Sequence, residues 1–561
     1  MSDQNAPGGS AAPSGPGSGT GFRPATVAPV PLATIGASIG VVVPGASGSV
    51  AVTGISLNSR TVQPGDLYVA LPGAARHGAD FVSQAVQAGA AAVLTDDAGA
   101  RLLAFSHDIA VPVLLAAEPR TLVGGLSALI YRSRPDDAPA PALYGVTGTN
   151  GKTTTTYFIN ALLQALGHKT GLIGTIEILA GGEAIPSLLT TPESTDVHAL
   201  LALMRERGLD AASMEVSSHA VSFSRVDGVV FDVAGFTNLT QDHLDLHGSM
   251  EEYFQTKARL FSPERARSAV VTVDDDWGVR LAASAGIPVT TLATDTTPAT
   301  DGADTTDGPG AGTSAADWTV RNPAARGLGT DFTLRHRDGT ELQVHTGLPG
   351  SFNVANAALA TAMVLAGGHD PATVQAALDA RDPFTVAVPG RMQLVCTAPA
   401  AVVDFAHNPD ALARALGAVR SPVPGSRVIV VFGATGQRDQ GKRPAMGAIA
   451  ARLADTVIVT DDDPHDEDAA DIRAGVLAGA FDAQEREGLG CSIIEVFPRD
   501  AAIRQAAELA GPADTILVAG RGHEVWQEVQ GVNLALDDRV ELRSALTARG
   551  FTVLEDQRIE S

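Results

Sequence analysis

A glycine-rich turn that carries a lysine and two threonines offers phosphate-binding chemistry. It reads TGTNGKTT over residues 147–154, between an apolar strand-like run and a run with helical spacing. Glycines let backbone amides converge on phosphate oxygens, and the helix N-terminus adds a partial positive charge. The lysine would reach the terminal phosphates of ATP and a threonine would help hold Mg²⁺, although Val146 departs from the standard Walker spacing. The residues predicted to bind ATP here are Gly148, Thr149, Asn150, Gly151, Lys152, Thr153 and Thr154.

Two further segments place a carboxylate and an imidazole after apolar runs, MEVSSH at 214–219 and FTNLTQDHLD at 236–245. Side chains of these types at strand ends can ligate a Mg²⁺ ion that bridges ATP oxygens. We therefore predict Glu215 and His243 as metal ligands, together with Thr153.

The elements that must position these residues alternate between strand and helix. Beyond residue 383 four apolar runs are separated by helix-like segments, which predicts a largely parallel sheet. Each run stops before a polar cluster, which reads DFAHNPD, GATGQRDQGKRP, TDDDPHDED or GRGHE. Ligands of open parallel sheets bind beyond the carboxyl ends of the strands, so we predict a second part of the site there. The runs are 402–403, 428–432, 457–459 and 516–518.

The length of 561 residues is too great for one core and predicts several α/β domains. We predict a disordered Gly-, Ser- and Pro-rich tail at 1–22 and a surface insertion at 295–316. A helix is expected over 80–91, before a strand at 92–95. The three domains are placed at 23–140, 141–382 and 383–561.

Composition excludes several classes of protein. Lys and Arg total 39 against 63 Asp and Glu, so the net charge of -24 provides no basic surface for nucleic acid or acidic membranes. Two cysteines, Cys396 and Cys491, cannot form a disulfide framework and fit a reducing compartment. The N-terminus lacks the basic and apolar segments of a signal peptide. These features predict a cytoplasmic protein, which we expect to be a monomer.

The motifs together resemble those of the Mur ligases, most closely of the MurE type. They are TGTNGKTT, MEVSSH, TNLTQDHLDLHG, YFQTKARLF, PGDLYVALPGAARHG, GSFNVANAALA, PGRMQ, DFAHNPD, GQRDQGKRP and GRGHE. The resemblance implies a small α/β UDP-binding domain, a central P-loop-like ATPase domain and a C-terminal Rossmann-like domain for the amino acid. It also implies ATP and Mg²⁺ as cofactors, with a UDP-muramyl dipeptide and a diamino acid as substrates. The reaction would pass through an acyl phosphate, with domain closure before chemistry.

The resemblance assigns roles residue by residue. It changes the interpretation of Lys257, which by itself would be a solvated helix lysine but in the family is carbamylated and helps bind metal. Leu189 and Phe223 stand where the family often has Asn and Gln, so side-chain contacts there are not carried over. The uridine end would meet Leu57, Ser59, Ala74, Ala75 and Arg76, and the muramyl peptide would meet Thr190, Thr191, Ser217 and Arg225. The nucleotide would also meet Asn238, Asn353, Arg391, Asp404 and His407, and the amino acid Arg438, Gly520 and Glu524.

The choice of diamino acid depends on the loop Asp462-Asp463-Pro464-His465. Ligases for meso-diaminopimelate have Asp-Asn-Pro-Arg here, and the arginine binds the distal carboxylate. A histidine is not a permanently charged bidentate donor, and the surrounding acidic residues favour an ammonium tip. This predicts L-lysine or ornithine as the donor. The alternative is that the acidic residues are a solvated loop and that a protonated His465 still binds diaminopimelate.

Three other classes of function remain for comparison. A folylpolyglutamate synthase-like ligase would share the ATPase core but lacks the first domain with its PGDLYVALPG segment. A transport or motor ATPase would need a Walker B carboxylate and a partner interface. A non-catalytic nucleotide-binding protein would bind ATP without releasing phosphate in response to the acceptor.

Overall fold

The chain divides into two compact units in the computed structural model. One comprises Met1–Ala140, Glu193–Arg207 and Ser224–Val229, and the other comprises Pro141–Pro192, Gly208–Phe223 and Val230–Ser561. The tail, Ala74, Arg438 and residues 295–315 of the predicted insertion lie outside the described residues. Those described are 23–43, 45–73, 75–104, 109–135, 138–186, 189–294, 316–437 and 439–555.

The first unit is built on a four-stranded parallel sheet in the order β3-β4-β5-β6. Its aliphatic side chains pack against α4, and α6 joins the same core through Ala199 and Ala202. The strand predicted at 92–95 is confirmed, whereas the helix predicted over 80–91 is a 3-10 turn, Gly78–Phe81, followed by a shorter helix. The elements are β1 (Val30–Pro31), α1 (Leu32–Ser38), β2 (Ala51–Val52), β3 (Gly54–Ser56), β4 (Asp66–Ala70), α2 (Val82–Gln87), β5 (Ala92–Thr95), α3 (Asp97–Leu103), β6 (Val113–Leu115), α4 (Pro119–Tyr131) and α6 (Ser194–Glu206).

The second unit contains an eleven-stranded sheet in the order β10-β9-β8-β11-β7-β12-β13-β14-β15-β16-β17. Strands β8, β11, β7, β12, β13, β14 and β15 are parallel to their neighbours in that run. The strands are β7 (Ala142–Thr147), β8 (Thr170–Ile173), β9 (Glu177–Ala180), β10 (Glu183–Pro186), β11 (Ala211–Glu215), β12 (Phe231–Phe236), β13 (Ala266–Thr272), β14 (Val289–Ala293), β15 (Trp318–Arg326), β16 (Gly329–His336) and β17 (Glu341–Thr346).

Helix α5 packs its apolar face on this sheet. Phe158, Ile159, Leu162 and Leu163 are buried, and Phe158 lies 4.9 Å from the ring of Phe384. Burial of one such side chain stabilises the fold by about 1.5–3 kcal/mol. Four of them therefore hold the helix that follows the glycine-rich turn against the sheet. The helices of this part are α5 (Lys152–Ala165), α7 (Ser218–Ser222), α8 (Leu244–His247), α9 (Met250–Ala258), α10 (Asp276–Ser284), α11 (Ser351–Ala366) and α12 (Pro371–Arg381).

The same unit contains a six-stranded sheet in the order β18-β19-β23-β20-β21-β22. Five of its strands are parallel and only β18 is antiparallel, which confirms the largely parallel sheet predicted beyond residue 383. No helix among the described residues is long and apolar enough to cross a membrane. The elements are β18 (Gln393–Thr397), β19 (Ala400–Asp404), α13 (Pro409–Val419), β20 (Val428–Phe432), α14 (Lys442–Leu453), β21 (Thr456–Val459), α15 (Ala469–Glu487), β22 (Ser492–Glu495), α16 (Arg499–Leu509), β23 (Thr515–Ala519), β24 (Trp526–Val529), β25 (Val532–Ala535) and α17 (Asp538–Ala548).

Candidate active site

The glycine-rich turn connects central strand β7 to helix α5. Gly148 and Gly151 have φ angles of 148° and 89°, which side chains rarely adopt. A Cβ on Gly148 would lie 1.8 Å from Thr237 Oγ1, and one on Gly151 would lie 2.4 Å from Asn356 Oδ1. Both glycines are therefore required by backbone conformation and by close neighbours. This is the strand, turn and helix arrangement that phosphate binding requires.

The segment after β12 forms hydrogen bonds with the backbone of the glycine-rich turn. The backbone amide of Asn150 donates to Asn238 Oδ1 at 3.1 Å, and Asn238 Nδ2 donates to the Asn150 carbonyl at 3.1 Å. Thr237 Oγ1 donates to the same carbonyl at 2.7 Å. Asn238, predicted as a nucleotide contact, thus lies against the backbone of the turn and fixes its shape.

Two lysines converge on one carbonyl of the turn. Lys152 Nζ donates to the carbonyls of Gly148 and Thr149 at 3.1 and 2.8 Å, and Lys257 Nζ donates to that of Gly148 at 2.7 Å. The sequence contains only four lysines, so half of them meet here. Lys257 is 1% exposed, and its interpretation as a solvated surface residue is wrong because helix α9 turns it inward.

The surroundings of Lys257 favour its neutral amine. Burial, reinforced by the charge of Lys152, holds the pKa of Lys257 well below its usual value. Burial also lowers the pKa of Lys152, but Glu215 and Asp242 oppose that effect. Lys152 therefore has carboxylates that support its positive charge, while a buried neutral amine at Lys257 is able to act as a nucleophile.

Glu215 ends strand β11 and is 1% exposed. Its Oε2 accepts from Thr153 Oγ1 at 2.9 Å and its Oε1 accepts from the Thr175 amide at 2.7 Å. A carboxylate paired with a threonine hydroxyl beside a phosphate loop fits Mg²⁺, which takes few protein ligands and completes its shell with phosphate and water. In the parts of the chain that the structure describes, no cluster of three or more His, Cys, Asp or Glu side chains is arranged to hold a metal.

His243 belongs to a small group of rings. It has a φ angle of 51°, and its ring meets that of His219 edge-on, with 4.8 Å between the centroids. Burial, opposed by Asp242 and assisted by His219, lowers the pKa of His243 to about 4. The imidazole is thus neutral near pH 7, which is the form that can ligate a metal. The ring of His219 also lies near those of Phe223 and His247, with 6.1 and 6.3 Å between the centroids.

The part of the chain that contains the six-stranded sheet contacts the glycine-rich turn through Asp410. Asn150 Nδ2 donates to Asp410 Oδ2 at 3.1 Å, a contact that sequence reasoning missed although Asp410 closes the DFAHNPD motif. The Arg391 guanidinium lies 4.1 Å from the centre of the Phe405 ring. Asp404 accepts from the Met392 and Ala406 amides, and burial raises the pKa of its carboxyl. Arg391 also donates from Nη1 to the Gly390 carbonyl at 3.3 Å, and Asp404 fixes the surrounding backbone.

Two other predicted nucleotide contacts, Asn353 and His407, also have protein partners. Asn353 donates to the Pro349 carbonyl at 2.8 Å and accepts from Asn356. His407 Nδ1 lies 2.8 Å from the Phe405 carbonyl oxygen. Burial, opposed by Asp242, lowers the pKa of His407.

Three acidic residues of the loop after β21 are paired with arginines. Arg473 pairs with both Asp461 and Glu495, and Arg521 pairs with Asp463. In addition, Glu467 receives both Nη groups of Arg443, at 2.7 and 2.8 Å. Asp468 caps α15 by accepting from the Ala470 amide. Three of the acidic side chains on which the lysine prediction depended, Asp461, Asp463 and Glu467, are therefore paired with arginines within the protein.

Two carboxyl groups of this region remain available to a ligand. Asp462 is 5% exposed, and its Oδ2 has no hydrogen-bond partner among the described residues. A Cβ on Gly520 would lie 2.5 Å from that oxygen, so only glycine fits beside it. Burial, followed by the charges of Asp462 and Asp463, raises the pKa of Glu524 to about 8. A bound ammonium group would satisfy both carboxyl groups.

His465 is fixed by the β24–β25 hairpin. Its Nδ1 lies 2.9 Å from Glu528 Oε2, and its carbonyl accepts from the Gln530 amide at 2.8 Å. The φ angle of His465 is 52°. This geometry leaves Nε2 as the ring atom that can meet a donor substrate. Pro464 precedes it, and its carbonyl accepts from the Glu467 amide.

The predicted uridine contacts lie in the first unit. Ser59 Oγ donates to Gln84 Oε1 at 3.0 Å, and Leu57 is partly buried. Ala75 and Arg76 are exposed, and Arg76 pairs with Asp80. Arg225, predicted for the muramyl peptide, also lies in this unit and pairs with Glu193 at 2.9 Å.

The other predicted peptide contacts lie in the second unit, beside Glu215. Thr191 Oγ1 donates to the Glu215 carbonyl at 2.9 Å and accepts from the Ser217 amide at 3.2 Å. Thr190 Oγ1 lies 3.1 Å from Thr175 Oγ1. These contacts place the three residues around Glu215 and Thr175, whose amide and hydroxyl donate to the Glu215 carboxylate.

Three family models match the chain in sequence order. The Mur ligase family catalytic domain matches residues 51–121, the Mur ligase middle domain matches 146–364, and the Mur ligase glutamate ligase domain matches 390–522. A diaminopimelate ligase of Streptomyces avermitilis is 43% identical over 526 residues, which cover 93% of this chain and 98% of the relative.

The chain belongs to the Mur ligase family.

Other Mur ligases are similarly close. UDP-N-acetylmuramyl-tripeptide synthetase of Leifsonia xyli is 43% identical over 94% of this chain and 98% of its own length. A solved UDP-N-acetylmuramoyl-L-alanyl-D-glutamate--2,6-diaminopimelate ligase is 29% identical with a TM-score of 0.61, and the match covers 94% of this chain and 100% of that one. MurF of Thermotoga maritima, solved with ADP, is 18% identical over 88% of this chain and 98% of its own, and its TM-score of 0.57 supports the fold alone.

Membership confirms several predictions made from the sequence. This Mur ligase has the three-domain α/β architecture and is an ATP-dependent ligase of peptidoglycan synthesis. The match over residues 51–121 covers the first domain, whose presence argued against a folylpolyglutamate synthase-like enzyme. The preference for lysine is not supported, because relatives with high coverage are named as diaminopimelate ligases.

Proposed function

We propose that this Mur ligase joins meso-diaminopimelate to UDP-N-acetylmuramoyl-L-alanyl-D-glutamate with ATP, as a cytoplasmic monomer. The convergence of Lys152 and Lys257 on the Gly148 carbonyl, beside the Glu215–Thr153 pair, carries the proposal of a ligase. The relatives named as diaminopimelate ligases support the choice of substrates. The arginine pairing of the acid-rich loop supports it independently, because paired acids such as Asp461 and Asp463 repel a distal carboxylate less than unpaired ones.

The acceptor carboxylate is a poor electrophile and must first take the γ-phosphoryl group of ATP. Lys152 exchanges the Gly148 and Thr149 carbonyls for phosphate oxygens, and the amides of residues 148–154 stabilise the transferred charge. Glu215, Thr153 and His243 are the residues that would hold Mg²⁺, which supplies neutralisation of the phosphate charge when bound.

Lys257 is suited to carbamylation. Its neutral Nζ attacks the carbon of CO₂, one proton leaves, and the product is an N-carboxylate. The side chain thereby changes from a neutral amine into an anion next to Lys152, whose positive charge disfavours an ammonium at this place. The new carboxylate would supply a further ligand for Mg²⁺.

The second step needs the amine of the donor near the acyl phosphate. Asp462 Oδ2 and Glu524 offer acceptors for donor ammonium groups, while Gly520 keeps the space beside Asp462 open. The neutral amine attacks the acyl carbon, and phosphate leaves with one oxygen of the acceptor carboxylate and takes up the proton that the amine loses. The protein's part in this step is to orient the amine and exclude water.

A phosphate-release assay with purified acceptor tests the substrate assignment. We expect meso-diaminopimelate to give a kcat/KM at least about tenfold higher than L-lysine or L-ornithine, because its distal carboxylate meets His465 and not an unpaired acidic cluster. The tripeptide product is verified by mass. Faster turnover with lysine or ornithine would contradict the assignment of meso-diaminopimelate as the donor. No turnover with any amino acid would contradict the proposed ligase activity.

The KM for the donor is expected to depend on pH through Glu524. Its raised pKa of about 8 means that the carboxyl is protonated at lower pH and accepts a donor ammonium only when ionised. Well below pH 8 the ionised fraction rises about tenfold per pH unit, and more slowly near pH 8, so the donor KM should fall as pH rises from 6 to 8. Glu524→Gln should raise this KM and flatten its pH profile. The KM for ATP in the same titration is the control.

A further inference from the structure

A buried arginine connects the loops that follow two separate strands of the C-terminal sheet. Arg499, the first residue of α16, donates from Nη1 to the Asp461 carbonyl at 3.0 Å and from Nη2 to the Ala519 carbonyl at 2.9 Å. Asp461 follows β21 and Ala519 ends β23, and β20 separates these strands in the sheet. One guanidinium therefore spans the carboxyl ends of strands that do not pair with each other.

The guanidinium is itself held in place by a carboxylate. Asp538, the first residue of α17, accepts from Arg499 Nε at 2.8 Å and from Nη2 at 2.7 Å. Both side chains are 0% exposed. The planar fork of arginine and its two-point pairing with a carboxylate fix the direction of the remaining N–H groups. Although burial lowers the pKa of Arg499, the pairing with Asp538 outweighs it and raises the pKa.

The two bridged carbonyls immediately precede the residues assigned to the amino-acid donor. Asp462 follows Asp461, and Gly520 follows Ala519. The Arg499 guanidinium therefore binds the backbone one residue before each of these two residues. The unpartnered Oδ2 of Asp462 lies so close to Gly520 that a Cβ there would stand 2.5 Å from it. A shift of either loop would therefore alter the acceptor geometry offered to an ammonium group.

We propose that the Arg499–Asp538 pair is a positioning device for the donor pocket, which sets the spacing between the Asp462 loop and the Gly520–Glu524 turn. This inference rests on the proposed function, since it assigns those two loops to the amino acid. Neither Arg499 nor Asp538 contacts a predicted nucleotide residue among the described contacts. A change in this pair should therefore affect binding of the amino acid and not binding of ATP or of the UDP-dipeptide.

Steady-state kinetics on Arg499→Lys and Asp538→Asn test this role. A lysine at 499 can reach the carbonyl of Asp461 or of Ala519 but not both. An asparagine at 538 removes the negative charge that orients the Arg499 guanidinium. We expect the KM for the diamino acid to rise roughly 10- to 100-fold, as misplacement of binding groups by about 1 Å does. The KM values for ATP and for the UDP-dipeptide should stay within about twofold of the parent.

Asp514→Asn is the matched control. Asp514 is also a buried carboxylate paired with an arginine in this sheet, but it lies at the opposite end of β23, where it accepts from the Arg427 amide at 2.9 Å. It should lower the melting temperature without selective change in the donor KM. An equal change in all three KM values, no change, or a failure of both test variants to fold would overturn the proposal. Absence of turnover in the parent enzyme would instead overturn the proposed function.

Discussion

Replacement of Lys152 by alanine is expected to lower kcat/KM by roughly 10³-fold, because it removes the one flexible cation of the phosphate loop. Its Nζ already lies within 3.1 Å of two loop carbonyls, and helix α5 fixes the position of its Cα. The loss should fall on kcat, since the charge on the transferred phosphoryl group is greatest in the transition state. Coupled phosphate release under saturating substrates measures it.

Lys169→Ala is the matched control for that experiment. Lys169 lies in the same unit, is exposed, and uses its backbone amide to bind Asp210. Its removal should leave kcat within about twofold of the parent, as is usual for surface substitutions. Near-parental activity of the Lys152 variant would show that the 147–154 turn does not bind the reacting phosphate.

Lys257→Ala is expected to lower kcat by about 10²-fold or more, because it removes the anion that carbamylation would supply at a site for Mg²⁺. Alanine leaves a buried space beside Gly148 and Tyr253, where Lys257 Nζ lies 4.6 Å from the centre of the tyrosine ring. A small carboxylate such as formate should enter this space and restore part of the activity. Formate should have no such effect on the Lys152 variant.

Carbon-13 NMR tests the modification itself. With only four lysines in the chain, incubation with ¹³C-bicarbonate should give one carbamate resonance that is absent from Lys257→Ala. The signal should remain in Lys169→Ala. A parent enzyme without the resonance, or a Lys257 variant with full activity, would contradict the role given to this residue.

Local sequence patterns predicted the strand, glycine-rich turn and helix around residues 147–154 and the largely parallel sheet beyond residue 383, for physical reasons. Each of these patterns predicts a strand-turn-helix unit, whose geometry depends on residues that are close in sequence. The patterns are the glycines at 148 and 151, the lysine that follows them and the apolar runs. The buried face of α5 followed from helical spacing in the same way.

Features that depend on distant residues could not be read in this way. Lys257 looked solvated on its own because its hydrogen-bond partner, the Gly148 carbonyl, is 109 positions away. The acid-rich loop looked more negative than it is, because Arg473 and Arg521, which pair with Asp461 and Asp463, lie outside the motif. Charge counted along a segment is therefore a poor guide to the electrostatic potential of a folded pocket.

Asp410 illustrates a residue that the motif contained but whose contact the sequence did not assign. It occupies the first turn of α13, and only the fold brings it to Asn150 across 260 positions. Arg499 had no motif signal at all. Its four hydrogen bonds become visible only when the ends of β21, β23 and α17 are in place.

Transfer of ¹⁸O from the acceptor to phosphate tests most directly whether the loop activates a carboxylate. UDP-N-acetylmuramoyl-L-alanyl-D-glutamate labelled with ¹⁸O in the side-chain carboxylate of its glutamate is incubated with ATP, Mg²⁺ and meso-diaminopimelate, and the phosphate is analysed by mass spectrometry. One ¹⁸O atom in each phosphate released, matched by one tripeptide formed, is the predicted result. Unlabelled phosphate would contradict the account, because it would mean that water, and not the acceptor, receives the phosphoryl group.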